Sequence, residues 1–251
     1  MTLHRFYIPP PQWNPDHLAL DEDESRHCTE VLRLRQGQRV IVFNGEGTEV
    51  TAEISLVSKR EVGLQALFTQ TTPRPASAIT LAQAVPKGKN MDLVIQKATE
   101  LGASEIIPVI SERTVVRLDA SEAADKQQKW QRIAVEACKQ CGQNHLPRVQ
   151  QPVAMDRLFA QKPAQEMRII AAIEPGAQRL KDLLAGWTAL HPGRTNPNSV
   201  LVLIGPEGDF TPSETGLAKS HGCQPMSLGP IILRTETAAI YSLSILAHEL
   251  F

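Results

Sequence analysis

The chain has 251 residues, above the roughly 100 to 200 that one ordinary domain uses, so two domains or one large α/β unit is expected. Hydrophobic residues make up 42% and charged residues 21%, which excludes wholesale disorder; no apolar run approaches the roughly 18 residues that span a bilayer and residues 1–10 lack a signal-peptide core, so no membrane partner is expected and the cytoplasm is the expected compartment. A net charge of −1, with 7 basic against 10 acidic residues over positions 1–72, means that any site for a polyanion must be a local patch.

The first seventy residues read as β-rich. Runs of β-branched residues at 39–43 and 48–57 flank Asn44-Gly45-Glu46-Gly47, a hairpin signal, and a third apolar stretch covers 62–68. One short helix is expected within 25–34. Several short strands with one helix imply a small barrel-like module. The prolines of Thr71-Thr72-Pro73-Arg74-Pro75 block helix and central strand alike, so the domain boundary falls there, giving domains 1–72 and 73–251.

Beyond it, apolar strand-like runs at 79–85, 105–110, 168–173, 200–204 and 226–233 alternate with helix-length segments, the signature of a parallel sheet with crossover helices. A helix near 90–101 places Met91, Val94, Ile95, Ala98 and Leu101 on one face and stops at Gly102, a residue suited to the left-handed position after a helix. A second, near 121–141, turns Trp130, Ile133, Ala134, Ala137 and Cys141 inward and Lys129, Arg132 and Lys139 outward. The last helix, near 236–250, is apolar almost all round and must be covered on several sides, by a partner subunit or by a chain that wraps back over it; a homodimer is the favoured expectation.

The sharpest motif is LIGPEGDFTPSE, 203–214. A buried strand stops at Gly205, a tight loop follows, and a helix opens with Thr211 as N-cap, Pro212 at N1 and Glu214 at N3, a complete capping box. The loop then lies at the carboxyl end of a parallel strand, where open α/β sheets bind ligands. It fits neither GxGxxG nor a P-loop. A second Gly-Pro loop, SLGPIILRTETAA at 227–239, leads directly into the last helix. Two such loops offer bare backbone polar groups to a flat polar ligand such as adenine. Cys138-Lys139-Gln140-Cys141 has no second CxxC to complete a zinc site and falls at a helix end, where the dipole disfavours a thiolate, so packing is expected and no metal.

These two segments, together with QKATELG at 96–102, IAVEACKQCGQ at 133–143 and HCTEVLRLRQGQ at 27–38, resemble the RsmE family, SPOUT-class methyltransferases that methylate N3 of uridine 1498 in 16S ribosomal RNA. The resemblance spans essentially the whole chain. It implies an N-terminal PUA-like β-barrel for RNA binding and a C-terminal SPOUT domain, an α/β parallel-sheet unit with a trefoil knot, acting on the small ribosomal subunit. It implies S-adenosylmethionine as cofactor, held by three loops: Ile173, Glu174 and Pro175; Ile204, Gly205, Pro206, Glu207 and Gly208; and Leu228, Gly229, Pro230, Ile232, Leu233 and Arg234, with Ala238 beside the third. A methyltransferase for another RNA position, or a non-catalytic RNA-binding protein with a vestigial pocket, would share the motifs.

Methylation at uridine N3 removes an imide proton and spreads charge over O2 and O4. A guanidinium aimed at a carbonyl oxygen stabilises that charge, which makes Arg234 the first catalytic candidate; a salt bridge to Glu236 or a helix-end contact is the competing reading. Glu207 and Glu100 are candidate proton acceptors, and equally anchors for hydroxyls or backbone. For RNA the candidates are Arg5, Arg26, Arg33 and Arg35 in the first domain and Lys87, Lys89, Lys126, Lys129, Arg132, Lys139, His145 and Arg148 in the second.

Overall fold

The computed structural model describes residues 3–58, 61–116, 118–160 and 163–251. The chain divides into two compact units: residues 1–74 with 135–146, and residues 75–134 with 147–251.

The first unit contains β1 (Arg5–Tyr7), β2 (Leu18–Leu20), α1 (Glu22–Arg26) running into a π-helical turn at His27–Val31, β3 (Arg39–Phe43), β4 (Thr48–Val57) and β5 (Val62–Thr71). They form one five-stranded sheet in the order β1-β3-β4-β5-β2, parallel at β1/β3 and antiparallel elsewhere. Strands β1 and β2, too short to leave a periodic trace, were not signalled by the sequence. The 39–57 hairpin forms as expected: Gly45 and Gly47 turn at φ +75° and +104°, and the Asn44 side chain accepts from the N–H groups of Glu46 (2.8 Å) and Thr48 (3.1 Å). Register shifts within β4/β5, at Thr51/Ala52 and Ile54/Leu56, bend the sheet over a core of Phe6, Ile8, Val40, Val42, Ile54 and Val62. Residues 135–146 join this core region through Arg5, which donates to Asn144 Oδ1 (2.6 Å), and Lys139, which donates to Glu24 (2.9 Å).

The second unit follows a strand–helix alternation: β6 (Ala78–Ala84), α2 (Asn90–Glu100), β7 (Glu105–Ile110), α3 (Ala120–Cys141), whose last turns belong to the first unit, β8 (Arg148–Val149), β9 (Val153–Ala154), α4 (Met155–Ala160), β10 (Met167–Ala171), β11 (Gln178–Arg179), α5 (Leu180–Leu190), β12 (Ser199–Ile204), α6 (Pro212–Ser220), β13 (Gln224–Ser227) and α7 (Thr235–Leu250). The sheet is parallel throughout, in the order β11-β13-β10-β12-β6-β7-β8, with β9 also on β7. Both faces are covered. Leu201, Leu203, Ala82 and Ala84 join Met155, Phe159, Phe210 and Ala218 in one cluster, while α7 packs against β6, β12 and α2. Near-continuous burial of β6 and β12 is what two covered faces require.

Several details differ from the sequence expectation. The strand expected at 226–233 ends at Ser227, because Gly229 takes φ +112° and Pro230 follows it; the segment to Arg234 is loop. Cys141 is exposed rather than inward, and Lys139 is drawn in, its side chain 8% exposed. Helix α7 is also less enclosed than its composition suggests. Ala238, Ala239, Ser242, Leu243 and Leu246 are buried, but Thr237, Tyr241, Ser244 and His248 form an exposed stripe at helical spacing.

Candidate active site

The loops that follow β10, β12 and β13 leave the sheet at its carboxyl edge side by side, because β12 is inserted between β10 and β6 and β13 flanks β10. With the first turn of α7 they enclose a cleft of about 790 Å³, within the roughly 300 to 1,000 Å³ of small-molecule sites.

Each loop is shaped by particular residues. In 205–211 the Asp209 N–H donates to Pro206 O (2.9 Å), Asp209 turns at φ +61°, and its Oδ1 accepts from the Phe210 N–H (2.7 Å). A Cβ on Gly205 would lie 3.0 Å from that Oδ1 and 3.3 Å from Phe210 N, so the loop closes tightly only around glycine. The capping box at α6 forms as expected, with Thr211 Oγ1 accepting from Glu214 N and Glu214 accepting from Thr211 N. In 228–234 Gly229 serves conformation rather than space, since a Cβ there would meet nothing within 4 Å. The N–H groups of Ile231, Ile232 and Leu233 have no acceptor among the described residues. Ile173, Ile231 and Ile232 are 72%, 70% and 82% exposed along the cleft, an apolar rim beside free backbone polar groups.

The sequence-derived cofactor residues largely converge here: Ile173, Glu174, Pro175, Ile204, Gly205, Pro206, Glu207, Leu228, Gly229, Ile232, Leu233, Arg234 and Ala238 line the cleft. Gly208 and Pro230 do not; the Gly208 carbonyl instead accepts from the Arg113 guanidinium. Glu174 carries a salt bridge to Lys219 (2.6 Å). Asn90, Asp209, Thr235 and Glu236 line the cleft as well, outside the expected set of cofactor residues. Asp209, Thr235 and Glu236 lay within the two quoted motifs; Asn90, which opens α2, had no signal of its own.

Of the catalytic candidates, Arg234 is the exposed N-cap residue of α7, and its guanidinium has no hydrogen-bond or ion-pair partner among the described residues. The competing salt bridge to Glu236 does not form. Glu207 stands at the cleft and accepts from the Lys87 N–H (2.9 Å), an anchor for backbone. Glu100 does not line the cleft; both of its oxygens accept from Lys97 Nζ, at 2.8 and 2.9 Å.

The basic candidates separate into bound and free. Arg5 bridges Glu49 (2.7 Å) and Asn144 and lies over the Phe43 ring at 5.0 Å, its side chain only 10% exposed, so its guanidinium is spent inside the fold. Lys139 is held between Glu24 and Glu136, both at 2.9 Å, and His145 Nε2 bonds Thr72 O. Arg26 pairs with Asp23 and Lys129 with Asp92. Arg33, Arg35, Lys87, Lys89, Lys126, Arg132 and Arg148 are exposed, with side chains unpaired among the described residues. Burial pushes the thiols of Cys138 and Cys223 up to about 12 and that of Cys28 up to about 11, so these three are packing residues.

Comparison with known proteins gives the same outline. A family model described as an RNA methyltransferase domain matches residues 72–247, and one described as an RNA methyltransferase PUA domain matches residues 20–66. Ribosomal RNA small subunit methyltransferase E of Aquifex aeolicus is 31% identical over 98% of this chain and 100% of its own; that of Bacillus subtilis is 31% identical over 92% and 90%. Among solved structures, a putative methyltransferase of Legionella pneumophila in complex with bound S-adenosylmethionine superimposes with TM-score 0.86 at 36% identity, covering 99% of this chain and 98% of that one. Small subunit methyltransferase E of Neisseria gonorrhoeae, bound to the same molecule, superimposes with TM-score 0.85 at 31% identity, covering 98% of each chain.

Proposed function

This chain belongs to the RsmE family of RNA methyltransferases, and from that membership we propose that it binds S-adenosylmethionine in the cleft at the carboxyl edge of its parallel sheet and methylates N3 of uridine 1498 in 16S ribosomal RNA of the small subunit, in the cytoplasm. The observation that carries the reading is the cleft itself: three loops, unbonded backbone N–H groups at 231–233, an apolar rim, and one unpaired guanidinium, Arg234. The fit to the cofactor is chemical. The free N–H groups suit the acceptors of an adenine, the exposed isoleucines suit its faces, and Asp209 and Glu236 suit its hydroxyl and ammonium groups. When bound, the cofactor supplies an electrophilic methyl group on a sulfonium.

The chain's own part is then to orient, exclude water and stabilise charge. Closing loops on both reactants substitutes pre-set geometry for lost translational freedom. The Arg234 guanidinium, unspent on any carboxylate, is free to donate to a uracil carbonyl oxygen as the imide proton passes to solvent water and the nitrogen takes the methyl group, leaving the demethylated thioether of the cofactor. Glu207 holds the Lys87 backbone N–H and so ties the 86–89 segment to the cleft; Glu100, bound to Lys97, is a structural residue. The RNA is held by the free cations Arg33, Arg35, Lys87, Lys89, Arg132 and Arg148 rather than by Arg5. The threading of the last helix into a trefoil knot and a homodimer are part of the same reading. For the dimer, the exposed Thr237, Tyr241, Ser244 and His248 stripe of α7, with Leu93 of α2 40% exposed, is the face offered. Sedimentation at micromolar concentration tests it, a stable monomer being the contrary result.

The deciding experiment is transfer of labelled methyl from S-adenosylmethionine to small subunits isolated from cells lacking the protein, followed by nucleoside mass spectrometry. N3-methyluridine at position 1498 is expected. A different methylated nucleoside would redirect the substrate, and no transfer would remove the enzymatic reading.

A further inference from the structure

Strand β6 is apolar except at Thr80 and, near its carboxyl end, at Gln83. The Gln83 side chain is fully buried, 0% exposed, on the face that α7 covers. Its Nε2 donates to Thr235 Oγ1 (3.0 Å) and to the Ala84 carbonyl (2.9 Å), and its Oε1 is buried with no partner. Thr235 Oγ1 in turn donates its proton to Gly205 O (2.6 Å). One hydroxyl therefore joins three segments distant in sequence: the end of β6, the turn after β12, and the first residue of α7. With its proton committed to Gly205 and a lone pair committed to Gln83, the hydroxyl has one orientation.

Thr235 and Gly205 line the cleft, whereas Gln83 lies behind them. A buried amide with an unsatisfied carbonyl is a poor choice for stability alone, because a leucine or methionine would fill the space without stranding a polar atom. We propose that Gln83 is a positioning residue that acts through Thr235 to hold the 205–211 loop against the start of α7, setting the gap into which the cofactor fits. The proposal rests on the reading of the cleft as the S-adenosylmethionine site.

The bonds make specific demands on variants. Gln83→Met keeps the volume and removes the donor; Thr235→Val keeps the shape and removes the hydroxyl; Thr235→Ser keeps the hydroxyl. S-adenosylmethionine binding is measured by calorimetry, thermal melting reports folding, and steady-state methylation separates KM for the cofactor from kcat. Gln83→Met and Thr235→Val are expected to weaken binding on the order of tenfold, the value of one net hydrogen bond, with the loss appearing in KM more than in kcat. Melting of Gln83→Met should be no lower than that of the parent. Thr235→Ser should restore binding to within about threefold, and the double variant should be no weaker than the worse single one, because both cut the same chain of bonds.

Folded variants with parental affinity, or Thr235→Ser as weak as Thr235→Val, would overturn the assignment. If Gln83→Met fails to fold, the serine and valine variants at 235 decide alone. A parent protein that does not bind S-adenosylmethionine would instead defeat the reading of the cleft itself, and the positioning role with it.

Discussion

Glu214 is buried, 6% exposed, yet carries a carboxylate whose two oxygens do different jobs. One accepts from Thr211 N at 2.9 Å and closes the capping box of α6; the other accepts from Glu112 N at 2.8 Å and ties the segment after β7 to the same point. Glu214→Ala strands two partly buried N–H donors, each costing about 1–3 kcal/mol, so a loss of about 2–4 kcal/mol is expected after allowing for some access of water. Glu214→Gln has a single carbonyl oxygen and can satisfy one donor only, placing an NH2 against the other, so it should recover no more than about half. Urea unfolding followed by tryptophan fluorescence measures this, with Trp130 and Trp187 reporting on the second unit. Because the loop from Gly205 to Phe210 ends at this cap, the alanine variant should also bind S-adenosylmethionine more weakly at a temperature where it is still folded. A stability loss below about 0.5 kcal/mol for the alanine variant, or full recovery by glutamine, would refute the two-oxygen account.

The remaining predictions address the site, the first unit and the thiols. Arg234→Lys keeps the charge but not the planar fork, and single-turnover methylation at saturating cofactor should fall on the order of a hundredfold while cofactor affinity holds; a parental rate would remove the catalytic role. Gly205→Val should abolish cofactor binding in calorimetry, since even a Cβ meets Asp209 Oδ1 at 3.0 Å, and unchanged affinity in a folded variant would contradict the tight loop. Arg5→Met should lower stability by about 1–3 kcal/mol through the stranded Glu49 and Asn144 while leaving the RNA affinity of folded protein intact, a selective loss of RNA binding being the contrary result. A maleimide at pH 8 should label only Cys141 of the four cysteines: burial raises the other three thiols to about 11 or 12, so they stay protonated there and gain thiolate only as the pH climbs towards those values, and mass spectrometry showing early labelling of Cys138 would contradict their burial.

Local chemistry made much of this protein legible in its sequence. The 39–57 hairpin, helix α2 with its stop at Gly102, and the capping box at Thr211–Glu214 depend on residues within a few positions of each other, so short-range rules sufficed. The two Gly-Pro motifs likewise marked the loops of the cleft, because glycine and proline impose their turns wherever they stand. Tertiary structure decided what distance in sequence hides. Arg5, a free cation to any sequence rule, is consumed by Glu49 and by Asn144, 139 positions away. Glu100 stands on α2 outside the cleft, while Arg234, with a carboxylate two residues on, stays unpaired. Gln83 drew no notice in the sequence; its partners exist only because the sheet order sets β6 beside β12 and α7 lies over both. Propensity and capping act along the chain and leave a mark in composition; hydrogen bonds between segments depend on which strands become neighbours, and that is fixed only when the whole core packs.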